Sequence, residues 1–388
     1  MRLGSMSVSY PDLELPARGM FDLPGDVAWL NSAYLGARAK PVAEAVTKAV
    51  NRPLSEVTAP SFFSPGDRIR ELVAFLVGGD AEGVALVPSA SYGVATAASA
   101  LGVGDGDRVL MLEEQFPAMV YPWTERGAEP VFVKRPPDDD WTAAVLDRLD
   151  ETISVVSAPA CHWTDGTRVD LERVGRATRA VGARVVLDVS QSLGMATFDV
   201  EKVRPDFVVS VGYKWLLGPP GLCYLWASPE NREGRPLDAN WMARAGSDDF
   251  SRVNEYRWEL AEGARRYDAG QTWNLWLAEA AGCALEIVSS VGTDRLAAHS
   301  RGLTDYLAEE AAALGLTAPR SEFRSAHLAG LRLPEGADPR SLVTELASRS
   351  VYVSVRGNSV RVSAHMWNTR EDMDRLLQGL AAWLKESR

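Results

Sequence analysis

The chain has 388 residues, 46% hydrophobic and 24% charged, enough for a large core and for one large domain with a smaller companion. A net charge of −11 argues against nucleic acid or an anionic membrane as a partner. No stretch approaches the roughly 20 continuous apolar residues of a membrane span, and the opening MRLGSMSVSY lacks the apolar run of a signal peptide.

In chain order, GVALVP (83–88) reads as a strand and SYGVATAASALG (91–102) as a helix. RVLMLE (108–113) and ISVVSAP (153–159) read as strands, LERVGRATRAVG (171–182) as a helix, and ARVVLDVS (183–190), DFVVSVG (206–212) and GLCYLWAS (221–228) as strands. Apolar strands separated by helices of about a dozen residues predict an α/β fold whose mostly parallel sheet is covered on both faces. Ligands of such sheets sit at the carboxyl ends of the strands. From about residue 272 the pattern changes to two long amphipathic helices. Strand-like HLAGLRL (327–333) follows, then a helix near 339–349, strand-like SVYVSVR (350–356) and SVRVSA (359–364), and a helix from 370. The expected division is an N-terminal arm (1–24), a large domain (25–285) and a small α+β C-terminal domain (286–388).

Three cysteines (Cys161, Cys223, Cys283) without CxxC spacing and four scattered histidines suggest neither a metal site nor a disulfide framework, and fit a reduced, cytoplasmic enzyme. Twelve tryptophans serve packing or line an aromatic pocket. GVGDGD (102–107) precedes a strand instead of following one, so it reads as a turn and not as a dinucleotide loop.

Three short segments carry chemistry. In GYKWLLGPPG (212–221), Lys214 follows a buried strand and precedes a Gly-Pro-Pro-Gly turn. Such a lysine is either an exposed turn residue or an amine with a lowered pKa, suited to a Schiff base. In VVLDVSQSLG (185–194), Asp188 ends an apolar strand, where a carboxylate caps the turn or meets a buried cation. In PSASYG (88–93), small and hydroxyl residues at a helix start form an N-cap or a phosphate cradle.

Together these segments resemble the class V aminotransferase family of fold-type I pyridoxal 5′-phosphate (PLP) enzymes. That family includes cysteine desulfurases, kynureninase and isopenicillin N epimerase-like proteins. The resemblance covers nearly the whole chain. It implies a large PLP-binding domain, a small C-terminal domain and a homodimer that shares its active sites. It implies Lys214 as the Schiff-base residue, Asp188 at the pyridine nitrogen and Gln191 near the phenolic oxygen. Phe116, in EEQFPAM, is implied as the ring-stacking aromatic. Ala90, Ser91 and Tyr213 are implied at the phosphate, and Thr272, in DAGQTWN, at the partner's phosphate. Trp163, in HWTDG, is implied beside the cofactor, with His162 in a structural or supporting role. Arg361, in SVRVSAHMWN, is implied as the clamp of the substrate carboxylate, with Asn31 and Tyr34 of VAWLNSAYLG as substrate contacts. The stretch VSVRGNSVRVS (353–363) lacks the nucleophilic cysteine of desulfurases, which disfavours that reaction. An aminotransferase is the expected activity. A kynureninase-like or C–S lyase, an amino-acid epimerase and a PLP-binding scaffold are the alternatives.

Overall fold

Runs such as Val185-Val186-Leu187 and Val208-Val209 are apolar at every position, and every residue of those strands must find an apolar neighbour. The computed structural model describes residues 13–271 and 275–386, with backbone alone at 59 and 60. Its strands are β1 (Ala28–Trp29), β2 (Val84–Val87), β3 (Arg108–Leu112), β4 (Glu129–Val133), β5 (Val155–Pro159), β6 (Arg184–Asp188), β7 (Phe207–Val211), β8 (Cys223–Ala227), β9 (Leu328–Arg332), β10 (Val351–Tyr352), β11 (Ser354–Arg356) and β12 (Ser359–Ser363). β2 to β8 form a seven-stranded sheet in the order β2-β8-β7-β6-β5-β3-β4. Within it β8 is antiparallel to both neighbours and the other pairings are parallel.

The two-residue period of a strand divides these side chains between two cores. Leu86, Leu110, Val156, Leu187 and Val208 join one core, and Val87, Val109, Val155, Val186 and Val209 the other. Each buried aliphatic side chain contributes about 1.5–3 kcal/mol. Helices cover both faces. The helix Ala90–Ala100 is rich in Ala and lies close against the sheet at Gly93, since a Cβ there would meet both Val209 methyls at 3.0 Å.

The C-terminal module is the antiparallel sheet β11-β12-β9 with the helices Thr293–Ala313, Pro339–Ser348 and Arg370–Glu386. Its core joins Leu303, Leu331, Val360 and Leu376 to Ala28 and Leu30, because β1 pairs in parallel with β10. The expected single strand over 350–356 is broken at Val353: β10 pairs with β1 and β11 turns into the hairpin with β12. The expected domain boundary at 285 falls inside the helix Leu275–Val291, which packs on the helices Lys40–Val50 and Ala59–Val77. We therefore propose that the large domain ends at Gly292, whose φ of 89° breaks the helix before Thr293. Among the described residues no single helix is long and apolar enough to cross a membrane.

Candidate active site

Asp188 ends β6, Tyr213 and Lys214 follow β7, and Pro88 to Ser91 join β2 to its helix. These are carboxyl ends of neighbouring strands. β8 runs the other way, so its first residue, Cys223, lies opposite both Val87 and Val211 at the same edge. The result is a cavity of about 200 Å³, walled by Ser89, Ala90, Ser91, Phe116, Trp163, Asp188, Gln191, Tyr213, Lys214 and Cys223 among others.

The lysine turn is tightly held. Gly218 N–H donates to the Gly212 carbonyl (2.8 Å), and Leu217 sits at φ 60°, a left-handed strain of order 1–3 kcal/mol for a bulky residue. Gly36 N–H donates to the Tyr213 carbonyl (3.0 Å), and a Cβ on Gly36 would lie 2.3 Å from the Lys214 carbonyl oxygen. The segment Leu30–Gly36 thus braces the lysine from below. The same segment is tied to β12, since Ala33 N–H donates to Ser363 Oγ. Of the chain's six lysines, Lys214 alone is buried. Burial pushes its amine down to about 8, against the opposing pull of Asp188, and the charges of Arg361 and Arg356 add to the fall. Its Nζ lies 5.6 Å from the centre of the Phe116 ring.

Asp188 accepts a hydrogen bond from Ser190 N–H (2.8 Å) at one oxygen. Burial raises its carboxyl above the usual range, with the Ser190 hydrogen bond and the Lys214 charge opposing. Such a carboxylate is improved by a cation in the cavity. Gln191 donates to the Ala33 carbonyl (3.1 Å) and accepts from Trp215 Nε1 (3.0 Å), leaving one amide N–H for a ligand. Ser89, which sequence reasoning missed, is the cap of the helix Ala90–Ala100: its hydroxyl accepts from Tyr92 N–H. Ala90 and Ser91, which open that helix, line the cavity, and a helix start favours an anion there. Phe116 meets Trp163 edge-on at 5.3 Å, and Trp163 Nε1 donates to the Glu114 carbonyl (2.8 Å), so the two rings form one wall. A buried amine, a desolvated carboxylate, a helix start and an aromatic wall fit an aldehyde, a pyridine nitrogen, a phosphate and an aromatic ring. PLP carries all four.

Arg361, on β12, is 1% exposed. It does not itself line the cavity; Trp163, which does, accepts from Arg361 Nη1 through its carbonyl (2.9 Å). Arg361 Nε and Nη2 are buried without a partner. Burial, then Arg356, pushes its guanidinium down to about 9. Arg356, which sequence reasoning also missed, lies with its guanidinium carbon 5.4 Å from the Trp163 ring centre; that of Arg361 is at 6.0 Å. Its five-residue spacing from Arg361 across a Gly-Asn turn was the available signal.

Two predicted contacts stand apart from the cavity. Asn31 is buried and its Oδ1 accepts from Ser354 Oγ (2.6 Å), beside Arg361 on the β11–β12 face. Tyr34 is 58% exposed, outside the cavity wall. Thr272 lies outside the described residues. His162 stacks on Trp141 at 5.3 Å, and its ring nitrogens meet Thr164 and Arg135 on one side and the Glu113 carbonyl on the other. Burial holds it below the usual imidazole range, as suits a structural group. The other histidines are not scattered. His327 and His365 both pack on Trp215, directly behind Lys214, and His299 bonds the Asn368 carbonyl nearby.

Comparison with known proteins agrees with this chemistry. The family described as "Aminotransferase class-V" matches over residues 55–376. The uncharacterized aminotransferase YcbU of Bacillus subtilis (strain 168) is 25% identical over 81% of this chain and 82% of its own. The isopenicillin N epimerase of Streptomyces clavuligerus is 26% identical over 81% of this chain and 83% of its own. The apo cysteine desulfurase of Thermococcus onnurineus NA1 shares the fold, with a TM-score of 0.82 over 99% of this chain and 100% of that chain at 19% identity.

Proposed function

The chain belongs to the class-V aminotransferase family, and on that premise we propose that it is an aminotransferase acting on an amino acid. Membership makes it a PLP-dependent enzyme of fold type I, with PLP as its cofactor. Bound PLP supplies an aldehyde that condenses with amines and a ring that accepts electrons from the bond being broken. Every other part falls to side chains.

Lys214 holds the aldehyde end of the site and, when its amine is free, moves a proton. An amine near pKa 8 is poised for that exchange around neutrality. Asp188 holds a proton on the pyridine nitrogen. The first turn at Ala90 and Ser91, with Tyr213, takes the phosphate, and Gln191 reaches the phenolic oxygen with its spare N–H. Phe116 and Trp163 exclude water from the ring face. Arg361 offers Nε and Nη2, the side-on pair of the guanidinium fork, to a substrate carboxylate.

The observation that carries the choice of reaction is the single base. Cys223 is pushed up to about 12 by burial, Tyr213 is raised by the same cause, and Asp188 is engaged at the ring nitrogen. Lys214 is therefore the one described wall residue able to exchange a proton near neutral pH. Transamination needs one base that serves one face, whereas inversion needs a donor on each face. A desulfurase reading lacks its nucleophile: Arg356 pairs with Ser359 across a two-residue turn at Gly357-Asn358, which leaves no loop to carry a cysteine. The same proposal includes a homodimer. Tyr256 and Trp258 are 85% and 79% exposed, an aromatic surface unusual without a partner. Incubation with PLP and a panel of amino acids tests the reaction. Release of a 2-oxo acid with stoichiometric loss of the visible cofactor band is expected. Ammonia release or pure inversion at Cα would contradict it.

A further inference from the structure

Residues directly opposite across an antiparallel pair share a face, as do residues two apart along a strand. Ser354 is opposite Arg361 and Arg356 opposite Ser359. Arg356 and Arg361 are therefore diagonal neighbours on one face of the β11–β12 hairpin, about 7–8 Å apart, with their Cβ atoms somewhat closer. Both guanidinium carbons lie within about 6 Å of the Trp163 ring centre. Like charges so placed repel, and a buried one is costly without a counter-ion.

No carboxylate among the described residues pairs with either. Arg361 spends Nη1 on the Trp163 carbonyl, and among the described residues the Arg356 guanidinium hydrogen-bonds only to the carbonyl of its own neighbour, Val355 (2.7 Å). The unpartnered Nε and Nη2 of Arg361 present the side-on geometry that matches the two oxygens of one carboxylate. Arg356, half-buried, is left over. One carboxylate satisfies one fork, so two forks ask for two.

Resting on the reading of Arg361 as the substrate clamp, we propose that Arg356 forms a second anion subsite and that the enzyme's substrates are dicarboxylic amino acids. The buried Arg361 takes the α-carboxylate and the more accessible Arg356 takes the side-chain acid. Trp163, which lines the cavity and lies within about 6 Å of both guanidinium carbons, packs against the carbon chain that links them.

The test is calorimetric titration of the PLP-loaded enzyme with unreactive acids, glutarate against butyrate. This reads the preference whatever reaction the enzyme runs, so a failure of transamination and a failure of the subsite are separate observations. A charge-assisted pair predicts glutarate binding about 10- to 100-fold tighter than butyrate. Arg356→Gln is expected to erase that ratio, and Arg356→Lys to restore part of it. Equal affinities in the wild type would overturn the proposal. So would an Arg356→Gln variant that weakens both acids by the same factor, since Arg356 would then share the single carboxylate of Arg361.

Discussion

Substituting Arg361 by Met should make the protein more stable and the enzyme nearly inactive. The guanidinium is 1% exposed, with one hydrogen bond and two orphaned N–H groups. Its folded pKa, pushed down to about 9, lies below the ordinary value the unfolded chain retains, so the unfolded state binds the proton more tightly. The buried charge therefore costs folding stability at neutral pH. Replacing buried ion pairs by apolar groups of similar volume is neutral or stabilises proteins by about 1–4 kcal/mol, and the lost bond to Trp163 gives back about 1 kcal/mol. A net gain of order 1–2 kcal/mol is expected, seen as a higher Tm by scanning calorimetry at neutral pH without substrate. Losing the partner of a buried carboxylate should cost about 2–5 kcal/mol, roughly 30- to 4,000-fold in kcat/KM. A lower Tm with unchanged kcat/KM would refute the reasoning, because Arg361 would then be a structural strut whose needs the protein already meets.

Capture of PLP by the apoenzyme should speed up as pH rises, with a midpoint near 8, because only the deprotonated Lys214 amine condenses; stopped-flow absorbance showing a midpoint near that of a free lysine would contradict the burial argument. In Asp188→Asn the midpoint should move lower, since the carboxylate holds the amine's pKa up, and turnover should fall by about 10²–10³ while the cofactor still binds. Gly36→Ala places a Cβ against the Lys214 carbonyl and should weaken PLP retention, measured by dialysis, with little change in far-UV circular dichroism. Arg70→Met strands Asp268, which also accepts Leu86 N–H at the base of the segment leading to Thr272. Breaking that buried pair should cost about 3–5 kcal/mol and lower the Tm clearly.

Much of this was legible in the sequence because burial on both faces forces apolar residues at every position, and runs such as VVLD and FVVSV admit few other readings. The edge strand β4 was not. It carries Pro130 and exposes alternate residues, so its pattern is diluted. The helix Ala59–Val77 was hidden by SFFSPGD, where Pro65 sits inside a continuous helix. The reversed direction of β8 left no mark, because a fully buried strand reads the same either way. At the site, Asp188 was readable as a polar residue ending an apolar strand and Lys214 as one following another such strand into a turn. Ser89, Arg356 and the His327–Trp215–His365 packing were not, because each depends on which strand ends and hairpin faces come together in space. Thr272 remains a sequence expectation.

Borohydride reduction of the PLP-loaded enzyme, then digestion and peptide mass mapping, tests the central claim most directly. The chain has six lysines, five of them exposed, so the label has real alternatives. The account predicts one stoichiometric phosphopyridoxyl group on the peptide containing Lys214, and none on that peptide in Lys214→Ala. Labelling of an exposed lysine instead, or no label at all, would contradict it.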